Sequence, residues 1–314
     1  MAQRVINWLL LGCFFVAVCV GCSLIWGTQY VINWLLLGCF YAAVGVGFSL
    51  IWGIMNIVNL AQGSLLILGS YATFWAYSVL HLNPILCGLV AMVALFIVGW
   101  IIQYVAINRV IRAPFLVTFM LTFGLDLLIA NVLQLLFTGN FRAISLPLSN
   151  EGINIFDARI PYLNAIIALI ALGLTGLLGL FLSRTRTGNA ILAVGMDRDA
   201  ARLMGISLAS TYALTFAIGA SLAGAAGAML AVTLQFSPIF SGRYTLFAFV
   251  IVALGGLGTP WAALVGGMAF AFAEVFAPFL PGIGFGLDIG IAFVVLVLVL
   301  ILRPNGLIGR PFYS

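Results

Sequence analysis

Long apolar runs separated by short polar segments make up almost the whole chain. Most runs are about 20 residues long and do not alternate between apolar and polar positions, so they predict membrane-spanning helices rather than barrel strands. We expect spans over residues 5–27, 31–53, 57–79, 85–107, 115–138, 163–182, 208–234, 244–258, 261–277 and 285–302. The predicted fold is an all-α, polytopic membrane bundle with about 8–10 transmembrane helices.

One stretch, residues 244–277, is interrupted by helix-breaking residues, namely Gly255, Gly256, Gly258 and Pro260. Such residues indicate either two separate spans or a broken pair of half-helices. The glycines themselves permit both tight helix packing and exposed helix ends that bind charged groups.

The first two predicted helices are near copies of each other. Residues 5–27 and 31–53 share 19 of 23 positions. We therefore expect residues 1–30 to hold an extra N-terminal transmembrane helix and residues 31–314 to form the functional domain. A cleaved signal peptide is the alternative for the first copy, but its apolar stretch is long and no A-x-A site follows it.

The composition agrees with an integral membrane protein. The chain is 65% hydrophobic and 6% charged, with a mean hydropathy of +1.28, whereas soluble domains hold about 25% charged residues. It contains no lysine, so it lacks the residue that a phosphate-binding P-loop requires. All five cysteines lie in apolar segments, and neither a metal nor a cofactor site is expected within this chain.

The arginines predict the orientation of the bundle. With the spans above, most of them fall on one side, which the positive-inside rule makes cytoplasmic. These are Arg4, Arg109, Arg112, Arg184, Arg186, Arg198, Arg202, Arg303 and Arg310. The segment 139–162, in which Glu151 and Asp157 balance Arg142 and Arg159, falls outside. Arg243 falls outside too, as a single exception without such a balance.

A polar island, residues 183–207, interrupts the apolar runs. It predicts one short amphipathic helix between Gly188 and Gly205, held outside the membrane. Its apolar face would combine Ile191, Leu192, Val194, Ala200, Ala201, Leu203 and Met204. Such a helix either docks in a groove of a soluble subunit or lies on the membrane surface, and the pattern alone does not separate the two.

The island GNAILAVGMDRDAARLMGIS resembles the cytoplasmic coupling loop of branched-chain amino-acid ABC-transporter permeases of the Liv type. That loop typically reads G-x-A-x-x-A-V-x-x-D-x-x-A-A-x-x-x-G-I. The matching positions are Gly188, Ala190, Ala193, Val194, Asp197, Ala200, Ala201, Gly205 and Ile206. Further motifs follow the family's order, including GCFYAAVGVGFSLIWGIMNIVNLAQG, ALGGLGTPWAALVGG and RPNGLIG.

This resemblance implies a permease subunit, not an enzyme, of an ATP-driven importer for branched-chain or related hydrophobic amino acids in the plasma membrane. It implies a second permease, homologous or identical, two ATPase subunits that bind the ATP, and an extracytoplasmic substrate-binding protein. The ATPases would dock on the coupling loop. The residues expected to couple the permease to the ATPases are Gly188, Ala193, Asp197, Ala200, Ala201 and Gly205.

Polar side chains inside the predicted spans are candidates for the transport pathway. They are Asn56, Asn59, Gln62, Asp126, Asn131 and Glu274. The first three recur every third residue, which on a continuous helix makes a polar stripe. Such side chains either line the pathway or hydrogen-bond neighbouring helices.

Two other functions stay open at this point. Gln62 stands where the family often has His, and Asp126 where it usually has a small polar residue, so the identity of the substrate stays open. One alternative is the same architecture importing urea or short amides. A different class is an ion- or proton-coupled secondary transporter, with Asp126 and Glu274 as relay groups.

Overall fold

The computed structural model describes residues 27–110, 113–146, 151–155, 158–256, 258–276, 288–303 and 306–308. The extra N-terminal helix expected over residues 5–27 lies outside these residues, apart from Gly27. Arg4, Arg112 and Arg310 of the expected cytoplasmic arginines lie outside them as well.

The described chain is mostly helical. Its helices are α1 Thr28–Met55, α2 Gln62–Leu80, α3 Pro84–Ile102, α4 Phe115–Phe137, α5 Tyr162–Arg184, α6 Arg186–Met196, α7 Arg198–Leu203, α8 Leu208–Thr233, α9 Ser241–Gly255, α10 Pro260–Phe276 and α11 Asp288–Leu302. Helix α3 continues through a π-helical turn, Gln103–Ile107, and a short helical stretch, Asn108–Val110. A 3₁₀ turn, Pro238–Phe240, precedes α9, and the strands β1 Gly152–Ile155 and β2 Ala158–Pro161 pair antiparallel.

The all-α membrane bundle predicted from the apolar runs is confirmed. Within the described residues, seven stretches are long and apolar enough to cross a membrane, and α10 and Phe293–Leu302 are shorter apolar helices.

Helices α1 and α8 form the centre of the bundle and are buried along most of their length. They cross with almost no side chain between them, since a Cβ on Gly47 would lie 2.5 Å from the carbonyl oxygen of Gly219. Small residues permit this approach, and close packing holds helices together in lipid, where no hydrophobic force acts between them.

Three peripheral helices, α3, α4 and α5, expose rows of large apolar side chains. On α3 the exposed row repeats at every fourth residue, at Ile85, Leu89, Val93, Ile97 and Ile101. Such a surface is stable only against lipid or another apolar subunit, so these helices form the outside of the bundle.

The interrupted stretch 244–277 is two helices, α9 and α10, joined by a tight turn. Gly256 and Gly258 take φ angles of 103° and 85°, in the left-handed region that glycine tolerates best. Gly255 and Gly266 lie in the contact itself, because a Cβ on either would collide with backbone of the other helix. The glycines here permit the turn and the close packing of α9 against α10.

One end of the bundle, which we call the arginine-rich end, carries α6, α7 and the turn between α9 and α10. Gly195 packs against Ile54 at the end of α1, and the N–H of Leu307 donates to the carbonyl of Leu254 at 2.9 Å. The described arginines of the expected cytoplasmic set lie at or next to this end; they are Arg109, Arg184, Arg186, Arg198, Arg202 and Arg303.

The β1–β2 hairpin lies at the opposite end, which we call the hairpin end. Gln29, in the first turn of α1, holds it with two hydrogen bonds to the backbone of Arg159: Nε2 donates to the carbonyl at 3.0 Å, and Oε1 accepts from the N–H at 2.7 Å. The hairpin therefore lies where α1 begins, at the end of the bundle away from α6 and α7.

The predicted span 57–79 is wrong at its start. The chain leaves α1 at Asn56, which takes a left-handed conformation with φ 53°, and runs without helix to Ala61 before α2 begins at Gln62. Asn56, Asn59 and Gln62 therefore do not share one helical stripe. A left-handed residue ends a helix because the next turn cannot continue in the same direction.

Candidate functional site

The polar island forms two helices rather than the single helix expected between Gly188 and Gly205. Helix α6 begins directly after α5, where the Thr185 hydroxyl accepts from the N–H of Gly188 at 2.9 Å. Gly188 is fixed by packing, because a Cβ there would collide with the carbonyl oxygen of Phe181.

Asp197 separates the two helices. Its N–H donates to the carbonyl of Ala193 at 3.0 Å, which ends α6. Its Oδ1 then accepts from the N–H groups of Asp199 and Ala200 at 2.9 and 3.0 Å, which caps the start of α7. Gly205, with φ 83°, ends that helix. The expectation of one helix was wrong because Asp197 favours an N-cap over a helix interior.

The inner side of this segment is fixed to the bundle. Ile191, Val194 and Ala201 are buried against it. Arg198 makes the polar contact: its Nη2 donates to the carbonyl of Met55 at 2.7 Å, and its guanidinium lies 5.8 Å from the ring centre of Tyr212. The segment is thus fastened to the last residue of α1.

The outer side exposes apolar side chains among charges. Met196, Leu203 and Met204 are 73%, 88% and 83% exposed, next to the exposed Asp199 and Arg202. The expected single apolar face is therefore divided, with Leu203 and Met204 pointing away from the bundle instead of joining Ile191. We call Met196, Asp199, Ala200, Arg202, Leu203 and Met204 the outer ridge.

A second candidate site lies at the break between α1 and α2, where the chain is buried but not helical. Asn59 and Gln62 are fully buried there, and Asn59 Nδ2 donates to Gln62 Oε1 at 3.5 Å. Asp126 on α4, 8% exposed, lies beside the N–H and hydroxyl of Ser64 in the first turn of α2. We call these four residues the polar cluster.

The backbone N–H groups in the first turn of α2 find hydrogen-bond acceptors on several elements. Gln62 and Leu65 donate to the carbonyls of Asn59 and Ala61 at 3.2 and 2.9 Å. Gly63 donates to the hydroxyl of Thr245 on α9 at 2.9 Å. Asp126 lies at the N–H of Ser64. A helix that begins in a buried place needs such partners, because its first four N–H groups have none within the helix.

Two buried side-chain atoms of the polar cluster have no hydrogen-bond partner among the described residues. They are Gln62 Nε2, a donor, and Asp126 Oδ1, an acceptor. Leaving such atoms unpaired costs about 1–3 kcal/mol each, so these two atoms mark a place where a polar group belongs.

The remaining pathway candidates lie elsewhere. Asn56 is exposed at the arginine-rich end. Asn131 is exposed on α4, where its Nδ2 donates to the carbonyl of Leu127 on the same helix at 2.7 Å. Glu274, near the end of α10, lies close to the hydroxyl of Tyr41. Of the six candidates, the structure brings together Asn59, Gln62 and Asp126.

Sequence reasoning missed the hydroxyl residues that build the break. Thr122 on α4 donates to the carbonyl of Val58 at 3.0 Å, and Thr245 donates to that of Leu60 at the same distance. Thr residues in spanning helices are too common to single these out. The signal that was available is their spacing on α4, where Thr118, Thr122 and Asp126 share one face.

A multi-pass helical bundle whose interior holds a buried, non-helical polar segment has features that membrane transport proteins share. The chain belongs to the family described as "Branched-chain amino acid transport system / permease component", whose model matches residues 30–302. It is accordingly a multi-pass permease of the cell membrane.

Similar proteins carry matching names. The high-affinity branched-chain amino acid transport system permease protein LivH of Escherichia coli (strain K12) is 29% identical over 271 residues, which cover 81% of this chain and 86% of that protein. BraD of Pseudomonas aeruginosa, with the same description, is 31% identical over 274 residues, with the same coverage. The probable LivH of Methanocaldococcus jannaschii is 27% identical over 241 residues, 73% of this chain and 74% of that protein. No solved structure matches the chain significantly.

Proposed function

We propose that this chain is the permease subunit of an ATP-driven importer for branched-chain or related hydrophobic amino acids, and that α6 and α7 receive the force of the ATPases. The observation that carries the proposal is the two-sided construction of α6–α7. Arg198 fastens its inner side to Met55, while the outer ridge exposes Leu203 and Met204. The amino-acid cargo is supported by the names of the similar proteins, which are branched-chain amino acid permeases.

The outer ridge has the chemistry of a docking surface. Soluble subunits bind exposed helices through a few apolar anchors surrounded by charges. Leu203 and Met204 supply the anchors, and Asp199 and Arg202 supply charges of both signs. Charges on the exposed side also disfavour burial of this ridge in the hydrocarbon of the membrane.

The inner side connects docking to the interior. A displacement of α7 acts on Met55 through Arg198, and Met55 is the last helical residue before the break that leads to the polar cluster. Of the coupling residues expected from the sequence, Gly188 and Asp197 shape the two helices and Gly205 ends the second. Ala200 is exposed on the outer ridge and Ala193 is half-buried, whereas Ala201 is buried against the bundle and is not available to a docked subunit.

The complete transporter would contain a second permease, homologous or identical, two ATPase subunits and an extracytoplasmic substrate-binding protein. ATP would be bound by the ATPase subunits, and this chain would hold no cofactor of its own. The apolar outer surfaces of α3, α4 and α5 leave room for a second permease beside the lipid. Affinity purification of the tagged permease from its own host, with identification of the co-purifying proteins, tests this composition.

A variant of the outer ridge tests the docking role. We expect Leu203→Glu to abolish co-purification of the ATPases while the amount of permease in the membrane stays unchanged, because Leu203 is exposed and contributes nothing to the bundle. Ile153→Glu, which likewise replaces an exposed aliphatic side chain by a carboxylate but at the hairpin end, is the matched control. Normal ATPase recovery and normal leucine uptake with Leu203→Glu would contradict the docking role.

A further inference from the structure

We propose that the polar cluster is a binding subsite for the zwitterionic head of an amino acid, at which Asp126 receives the ammonium group and Gln62 the carboxylate. The inference rests on the proposed import of amino acids and assigns residues to the recognition of the cargo inside the membrane. It starts from the two unpaired atoms, Asp126 Oδ1 and Gln62 Nε2.

The two atoms belong to the same small region. Gln62 is the first residue of α2, and Asp126 lies beside Ser64, two residues further along that turn. The backbone N–H groups of Gln62, Gly63 and Leu65 have partners within the protein. The polar capacity that remains at this turn is therefore one side-chain donor and one side-chain acceptor.

The chemistry of this pair selects among ligands. A cation alone would satisfy Asp126 but leave the Gln62 donor unused. An anion alone would be repelled by the Asp126 carboxylate. A zwitterion brings a donor group and an acceptor group joined by one carbon atom, so it matches both atoms at once. Charge-assisted hydrogen bonds to both groups also offset the cost of holding an acid within the membrane.

The surroundings allow the subsite to open and close. The cluster is closed in this structure, with Asp126 on the peripheral helix α4 and Gln62 next to the non-helical segment 56–61. That segment directly follows Met55, to which Arg198 of α7 is hydrogen-bonded. Movement of α7 therefore acts on one wall of the subsite, and a shift of α4 moves the other.

The experiment uses the complete transporter with its partner subunits in proteoliposomes, with radiolabelled leucine as the probe. The quantity measured is leucine transported per ATP hydrolysed. We expect Asp126→Asn to lower this ratio about tenfold or more, as for loss of a hydrogen bond to a charged group. Gln62→Leu is expected to lower it in the same direction.

The Asn variant separates recognition from structure. Asparagine keeps an oxygen that accepts from the first turn of α2, so a purely capping role predicts wild-type transport with Asp126→Asn and a damaged protein only with Asp126→Leu. Thr73→Val controls for loss of a buried hydroxyl on the same helix, because within the described part of the chain the Thr73 hydroxyl donates to the carbonyl of Gly69 on its own helix. It should transport as the wild type does.

Two outcomes would overturn the subsite. One is an unchanged ratio with Asp126→Asn and Gln62→Leu, which would indicate a structural water at the two atoms. The other is an equal loss of assembly, ATP hydrolysis and transport in both variants, which would indicate a structural role. Failure of the wild-type transporter to move leucine would contradict the proposed function instead, so the two failures are distinguishable.

Discussion

Asp126 shows how one charged residue is accommodated within a membrane protein. An acid at the centre of a spanning helix costs about 2.5–3.5 kcal/mol on insertion scales. Here it lies at the first turn of α2, where helix N–H groups and the positive end of the helix dipole favour a carboxylate. The sequence identified the acid as a residue that needs a partner, but the partner is a helix start that the apolar pattern concealed.

Gly63 is the residue on which the packing of this helix start depends most directly. A Cβ there would collide with the carbonyl oxygen of Ser241 and lie 2.5 Å from Thr245 Oγ1 and 2.6 Å from Thr245 N. Because the colliding atoms are mostly backbone, α9 would have to move, and the same contact holds the N–H of Gly63.

We therefore expect Gly63→Ala to destabilise the purified permease by about 1–3 kcal/mol or more, as overpacking does. The measurement is the fraction of monodisperse protein that survives heating in detergent. Gly124→Ala is the control, since a Cβ at Gly124 on α4 meets no atom within 4 Å. Equal thermal stability of the two variants would show that α9 does not press on this turn.

At the scale of the element, the sequence predicted helices well and their interruptions poorly. The span 115–138 agrees with α4 to within one residue, because Pro114 and Thr138 are the residues at which the helix starts and stops. The break at 56–61 was missed because Ile57, Val58 and Leu60 are as apolar as any helix interior. Its shape depends on contacts from α4 and α9, which a local pattern cannot contain.

The island shows the same limit. An amphipathic segment was predicted and found, yet its division at Asp197 decides which apolar side chains face the bundle and which form the outer ridge. Asp197, with a second acid at Asp199 in the following turn, is a sequence signal for an N-cap, so the division into two helices could have been predicted. The exposure of Leu203 and Met204 could not be predicted, since it follows from how α7 packs on the bundle.

Arg198 joins two elements, and its removal should separate their motions. We expect Arg198→Ala to leave the transporter assembled and hydrolysing ATP, but to lower leucine transported per ATP about tenfold, because a charged hydrogen bond worth about 1.5–3 kcal/mol no longer links α7 to Met55. Arg198→Lys keeps the charge over Tyr212 and should restore part of the ratio.

The control for this experiment is Arg186→Ala, which removes an exposed arginine from the start of α6. It should leave the transport ratio at its wild-type value. A wild-type ratio with Arg198→Ala would show that α7 does not act through Met55, and coupling would then have to pass through the buried contacts of Ile191, Val194 and Ala201.

For the bundle taken together, the class of the fold could be predicted from the apolar runs, but the arrangement of its helices could not. Seven described stretches can span a membrane, close to the spans predicted for them. Which helices lie at the centre follows from small residues: α8 carries Gly219, Gly224 and Gly227 where α1, α2 and α3 approach. The sequence shows these glycines, but their partners lie on distant parts of the chain.

The orientation of the molecule is the prediction on which the docking role finally depends. The positive-inside rule places the arginine-rich end in the cytoplasm, where ATPase subunits are found. In a variant without its five cysteines, we expect Ser145→Cys, exposed near the hairpin end, to react with a membrane-impermeant maleimide on intact spheroplasts. Ser183→Cys, exposed at the arginine-rich end, should react only after permeabilisation, when both sites are labelled. The reverse pattern would place the outer ridge outside the cell, where no ATPase could reach Leu203.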